Sequence, residues 1–163
     1  MGNKTTAIVY CTKYGTAQKI SQAIREALCG STEVSLFHLH DGADVDVANF
    51  DTVVLLTSIY AGKPRKEMTA FCSRHEGELL QKRLFVAICG MDKGNAIKEI
   101  ETAYSPALIH HAADAVFFEG EYRLKQMHWP DRLLLRLFFK VKEPLLRDYS
   151  HDVKILTDKI LAI

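Results

Sequence analysis

No apolar run in this chain approaches the roughly 20 residues that a membrane-spanning helix needs. No apolar signal region opens it either, because Lys4 and polar residues lead straight into a strand pattern. There is no CxxC pair. Cys11, Cys29, Cys72 and Cys89 are widely spaced, which argues against a zinc ribbon or disulfide framework and reads as reduced thiols in a cytosolic protein. Charge of one sign is lacking too: the net charge is +1, so neither a nucleic-acid partner nor a strongly acidic carrier surface is implied. The GxGxxG fingerprint and the Walker loop are both missing. The histidines are scattered, and no metal is expected. Without repeats, low-complexity tracts or a linker, residues 1–163 read as a single domain, and 48% hydrophobic residues suffice for a substantial core.

What the chain does contain is short apolar runs alternating with helical patterns. Strands are expected at 5–11, 33–39, 52–58, 83–89 and 115–121. The third and fourth, through Val53-Val54-Leu55-Leu56 and Leu84-Phe85-Val86-Ala87-Ile88, are continuously apolar, the mark of central parallel strands covered on both faces. Helices are expected at 16–29, 64–80, 95–112 with a break at Ser105-Pro106, and about 150–162 with Ser150 as N-cap. His75 is expected on the inward face of the second helix, with no partner carboxylate named. Segment 40–51 reads as a long loop or one helical turn. This alternation predicts an α/β fold, a doubly wound five-stranded parallel sheet in the order 2-1-3-4-5, with a ligand beyond the carboxyl ends of its first and third strands.

The first strand runs into Thr12-Lys13-Tyr14-Gly15-Thr16-Ala17 and then a helix. A hydroxyl- and glycine-bearing loop feeding a helix N-terminus makes an anion site, since the first N–H groups are unpaired and the dipole favours negative charge. One glycine and two threonines suit a single terminal phosphate bound without a metal. After the third strand comes Thr57-Ser58-Ile59-Tyr60-Ala61-Gly62-Lys63-Pro64, and after the fourth Cys89-Gly90-Met91-Asp92-Lys93-Gly94. Cys11 and Cys89 end strands near the ligand mouth and read as small buried hydrophobes.

These loops together resemble a flavodoxin domain. The resemblance implies noncovalent FMN. Its phosphate would be held by Thr12, Lys13, Tyr14, Gly15, Thr16 and Ala17, and its ring flanked by Ser58, Ile59, Tyr60, Ala61, Gly62, Cys89 and Gly90, with Tyr60 as the aromatic wall. Ala17 stands where the family usually has a second threonine, which implies one lost hydroxyl contact to the phosphate. A closer likeness is to the menaquinone-dependent protoporphyrinogen IX dehydrogenases of haem biosynthesis. It rests on Ser58-Ile59-Tyr60-Ala61-Gly62 and on Gly120-Glu121-Tyr122-Arg123 through Trp129-Pro130-Asp131-Arg132 to Phe138-Phe139-Lys140. It implies a flavoprotein oxidoreductase passing electrons to a quinone. The alternative is a small electron-carrier flavodoxin serving a redox partner protein; a third reading is a domain that has lost its cofactor.

The stretch just quoted is an insertion before the last helix. From Arg123 to Arg147 seven Lys or Arg stand against Asp131 and Glu143, a net +5 in a chain whose remainder carries −4. A helix at about 131–142 is expected to align Arg132, Arg136 and Lys140 on one stripe beside a broad apolar arc. Arg123, Arg132 and Arg136 are candidates for the propionates of a porphyrin or for anionic lipid. Three roles compete for this basic apolar helix: peripheral docking on the inner face of a membrane, a homodimer contact, or packing on the core.

Overall fold

The computed structural model describes residues 4–40, 43–138, 140 and 143–162. Strand β1 (Thr5–Cys11) leads to helix α1 (Thr16–Leu28), β2 (Glu33–His38), β3 (Thr52–Tyr60), β4 (Lys63–Pro64), α2 (Lys66–Leu79) and β5 (Arg83–Gly90). Then follow α3 (Ala96–Ala103), α4 (Pro106–His111), β6 (Asp114–Glu119), α5 (Trp129–Phe138) and α6 (Ser150–Leu161). Five strands are parallel in the order β2-β1-β3-β5-β6, which is the expected winding with the short β4 counted in between.

The central strands alternate between two cores, as a period of two requires. Ala7, Val9, Val53, Leu55, Leu84 and Val86 face α2, α3 and α4, where Met68, Phe71 and Leu108 are fully buried. Ile8, Val54, Leu56, Phe85 and Ala87 face α1 and α6, against Ile20, Ile24, Leu28 and Leu156. Each such side chain contributes about 1.5–3 kcal/mol when fully buried, so the two cores fix the sheet register and with it the strand ends.

Several local expectations shift. Residues 43–51 form the loop that was expected there and not the alternative helical turn, with Val45 and Val47 alternating with Asp44 and Asp46 and only the valines buried. His75 does find carboxylates: its Nε2 lies 2.7 Å from Asp44 and its Nδ1 3.4 Å from Glu78. Ser150 is the first helical residue of α6 rather than its cap, and its N–H donates to Asp148 Oδ1 at 2.9 Å. The helix expected at 131–142 is α5, begun two residues earlier and ended at Phe138. Phe139, Val141 and Lys142, assigned to that helix from sequence, lie outside the described residues.

Candidate functional site

The carboxyl ends of β1, β3 and β5 converge where the winding of the sheet reverses, the position at which open α/β sheets bind ligands. Here a mostly apolar cavity is lined by Thr12, Lys13, Tyr14 and Thr16, by Ser58, Ile59 and Tyr60, and by Cys89. These are sequence-predicted site residues from all three loops, gathered at one place.

The first loop turns sharply because Gly15 adopts φ +88°, a left-handed conformation that costs an L side chain about 1–2 kcal/mol. Thr12 Oγ1 accepts the Gly15 N–H at 2.9 Å, so this hydroxyl braces the loop from within. The first backbone bond of α1 runs from Lys19 N–H to Gly15 O at 3.0 Å. The N–H groups of Thr16, Ala17 and Gln18 precede it and face the helix N-terminus. Ala17 is fully buried in the α1 core, so it offers a ligand its N–H and not its side chain. The absence of a hydroxyl at this position goes with a packing role for the side chain.

The second loop is a hairpin rather than an open connection. Tyr60 pairs with Lys63 and Ile59 with Pro64 across a two-residue turn in which Ala61 (φ +49°) and Gly62 (φ +71°) are both left-handed. Strand alternation sends Ile59 into the core and leaves Ser58 and Tyr60 toward the cavity. Cys89 is buried, and desolvation pushes its thiol up to about 12, ahead of a smaller contribution from Glu121; the same burial raises Cys11 to about 12. Both are inert thiols at neutral pH. Among the described residues no group of three or more His, Cys, Asp or Glu is placed to hold a metal.

The insertion folds over this cavity. Leu135 of α5 is buried with Tyr122, Leu124 and Met127, packed against Tyr14 and Met91. Asp131 of α5 takes hydrogen bonds from the hydroxyls of both Tyr14 and Tyr60, and Lys13 Nζ lies 2.8 Å from its Oδ2. The same ammonium sits 3.3 Å from the centroid of the Tyr60 ring, a cation–π contact. Burial pushes the Asp131 carboxyl up, but the Lys13, Tyr14 and Tyr60 bonds outweigh it and hold the pKa down at about 2. Burial and the adjacent carboxylate push Tyr14 up to about 12 and raise Tyr60 as well. Closed in this way, the free space between the loops is about 70 Å³, roughly two waters' worth.

The four basic candidates separate. Arg123 does not face outward: its Nη1 would lie 3.7 Å from a Cβ on Gly15, so its guanidinium stands over the loop expected to hold the phosphate. Arg123 Nη2 is 3.5 Å from Glu121, whose buried carboxylate is also held by Lys19 at 2.9 and 3.1 Å. Arg132 is half-buried, donating to Met127 O at 3.1 Å. Only Arg136 and Lys140 are exposed, so the predicted three-residue stripe is not one surface. Asp131, Glu121 and Lys19 were not identified as site residues from the sequence. The available signal was that Asp131 is the only acid on an otherwise basic and apolar helix.

Residues 7–144 match the family model of the flavodoxin domain. The chain belongs to the flavodoxin domain family. No curated protein sequence matches it. Among solved structures it is similar to the TIGR4 flavodoxin of Streptococcus pneumoniae, with a TM-score of 0.56 and 17% identity over 83% of this chain and 95% of that one. It is also similar to a flavodoxin, WrbA-like protein from Agrobacterium tumefaciens (TM-score 0.57, 14% identity, 96% and 98% covered). Rubredoxin oxygen:oxidoreductase from Desulfovibrio gigas gives 0.59 at 10% identity over 98% of this chain, which spans 37% of that larger protein. At such identities these likenesses establish the fold.

FMN, the cofactor expected from the sequence, is the one this family binds. The residues present fit it. Ser58 Oγ lines the cavity, buried and without a hydrogen-bond partner; Arg123 Nε, in the guanidinium beside Gly15, is likewise buried and unpartnered. Buried polar atoms without partners cost about 1–3 kcal/mol each. Two of them, one at each of the loops assigned to ring and phosphate, are what a bound polar ligand would relieve. The N–H groups of α1 and the Arg123 cation would hold the phosphate, while Ser58 and Tyr60 would flank the ring. A ring-sized space requires the Tyr14–Asp131–Tyr60 bridge to part. The cofactor supplies electron transfer; the protein supplies position, exclusion of water and the charges around it.

Proposed function

We propose that this flavodoxin-domain protein is an FMN-dependent oxidoreductase of the protoporphyrinogen dehydrogenase-like kind, delivering electrons to a quinone at a membrane surface. The observation that carries the reading is the two-sided character of α5. Asp131 and Leu135 face the cofactor cavity, while Trp129, Leu133 and Leu137 on the same ten-residue helix are between 48% and 74% exposed. Large exposed apolar groups on one helix face mark an interaction surface. Exposed Arg136 beside them adds the positive charge that anionic headgroups attract. Among the described residues no helix is long and apolar enough to cross a membrane, so contact of this kind would be peripheral.

The test is co-sedimentation of FMN-loaded protein with anionic and neutral vesicles, together with quinone-linked reoxidation. Anionic vesicles should bind more strongly, and salt should weaken the binding. Replacing Trp129 and Leu137 by Ser should abolish vesicle binding and quinone-linked turnover while leaving FMN affinity unchanged. Dissociation of a dimer by those substitutions, with no vesicle effect, would make α5 an assembly surface and overturn the membrane reading.

A further inference from the structure

A second cleft, of about 420 Å³, opens beside the cofactor cavity. Its volume is that of small-molecule sites, which run to roughly 300–1,000 Å³. Ala61 and Gly62 of the hairpin turn form one apolar wall; Leu134 and Phe138, one helical turn apart on α5, form another; α3 contributes Glu99. Glu99 is 8% exposed, and its Oε2 is buried with no hydrogen-bond partner. That oxygen lies so close to the end of β5 that a Cβ on Gly90 would be 2.6 Å from it. An orphaned carboxyl oxygen in a cleft is costly to the fold and is explained by a ligand that meets it.

The cleft's chemistry narrows that ligand. Burial, and then the charge of Asp92, raise the Glu99 pKa, so the cleft shifts this carboxyl toward its neutral form. Asp92 is committed within its own turn, accepting from Gly94 N–H at 3.1 Å and from Asn95 Nδ2 at 2.6 Å. Lys98 stands on the exposed rim. An anion would face two acidic residues, whereas a neutral molecule would meet two apolar walls and the buried Glu99 carboxyl.

We propose that this cleft binds an uncharged, flat, largely apolar molecule with a carbonyl oxygen at its edge, held by a hydrogen bond from Glu99. The proposal deepens the quinone reading above and rests on it, naming where the acceptor sits and which residue recognises it. The bond is a binding contact in which Glu99, in its neutral form, donates to the ligand's carbonyl oxygen.

Its test is titration of the full-length chain with 2,3-dimethyl-1,4-naphthoquinone and, in parallel, with 2,3-dimethylnaphthalene, read from the amide shifts of Gly62 and Asn95. The quinone should bind better than the hydrocarbon. Glu99→Ala should cut quinone affinity about 5- to 10-fold, the loss expected for one hydrogen bond, while leaving the hydrocarbon unchanged. Glu99→Gln, which keeps an N–H donor, should restore most of the preference. Equal affinity for quinone and hydrocarbon in the wild type, or tighter binding of a naphthylmethylammonium probe, would overturn the proposal. FMN titrations of the same samples keep the two readings apart. Intact FMN binding without quinone preference defeats this proposal alone, and quinone preference without FMN binding defeats the cofactor reading alone.

Discussion

Asp131→Asn removes the one negative charge that Lys13, Tyr14 and Tyr60 share while keeping the size of the side chain. Folding lowers the Asp131 pKa from 3.8 to about 2, and at about 1.4 kcal/mol per unit this is worth about 2 kcal/mol. The side chain is 15% exposed, so little of that is screened away. Because the folded-state pKa is the depressed one, the stabilisation is fully present above the unfolded value of 3.8 and is lost as pH falls through about 2. Urea unfolding should therefore show the variant about 2 kcal/mol less stable than the parent at pH 7, with about half of that difference remaining at pH 3. The same bridge joins α5 to the first and second loops, and the space beneath it is too small for a flavin ring. Stopped-flow mixing with FMN should accordingly show faster association for the variant, by up to about 30-fold if opening the bridge limits entry. A stability difference that stays constant from pH 7 to pH 3 would refute the assignment of the charge to this bridge. An unchanged association rate would refute its role as a cover.

Arg123→Gln should weaken FMN by about 1.5–3 kcal/mol while leaving riboflavin affinity unchanged, since the guanidinium stands over the loop expected to hold the phosphate; equal losses for both flavins in fluorescence titrations would remove it from the phosphate site. Gly15→Val should reduce both thermal stability and FMN affinity, because a β-branched residue is strained at φ +88°, and an unshifted Tm would contradict the loop geometry. Ala61→Gly should raise stability by about 1 kcal/mol by relieving a left-handed alanine, measured as a higher urea midpoint at unchanged slope. Of the four cysteines only Cys29 is exposed, so a thiol reagent at pH 8 should label the native chain rapidly at that residue alone, and fast labelling of Cys89 would show that its pKa is not raised by burial.

The sheet was legible in sequence because its signals are local. Continuous apolar runs at 53–56 and 84–88 could only be two-faced central strands, and both occupy the middle of the sheet. Gly15 marked the left-handed turn before α1, and the loops around Tyr14, Tyr60 and Cys89 had to meet once the winding was fixed. The hairpin at 59–64 was missed because its strand β4 is two residues long, with proline in it and alanine in place of the usual Asn or Gly at the first turn position. Ala17 was legible as part of the apolar face of α1 from its spacing to Ile20 and Ile24, and it is buried there with them.

The cover over the site is the harder case, and its reason is geometric. On α5 the residues Asp131 and Leu135 lie four apart, and so do Trp129, Leu133 and Leu137; both sets satisfy the helical period. Periodicity therefore identifies two stripes without saying which one meets the domain. The choice is made by partners far away in the chain: Tyr14 is 117 residues from Asp131, and Tyr60 is 71. Two hydroxyls and an ammonium converging on one carboxylate turn the stripe containing the acid inward and leave the tryptophan stripe outside. Leu135, buried with Tyr122, Leu124 and Met127, holds the same stripe inward. Asp131 thus sets the orientation of α5, and that orientation creates both the closed cofactor cavity and the exposed apolar face. The substitution that loosens the cover should therefore also change what α5 shows to a membrane: in Asp131→Asn, vesicle binding should fall along with stability, whereas a merely local role for the bridge would leave vesicle binding at the parental level.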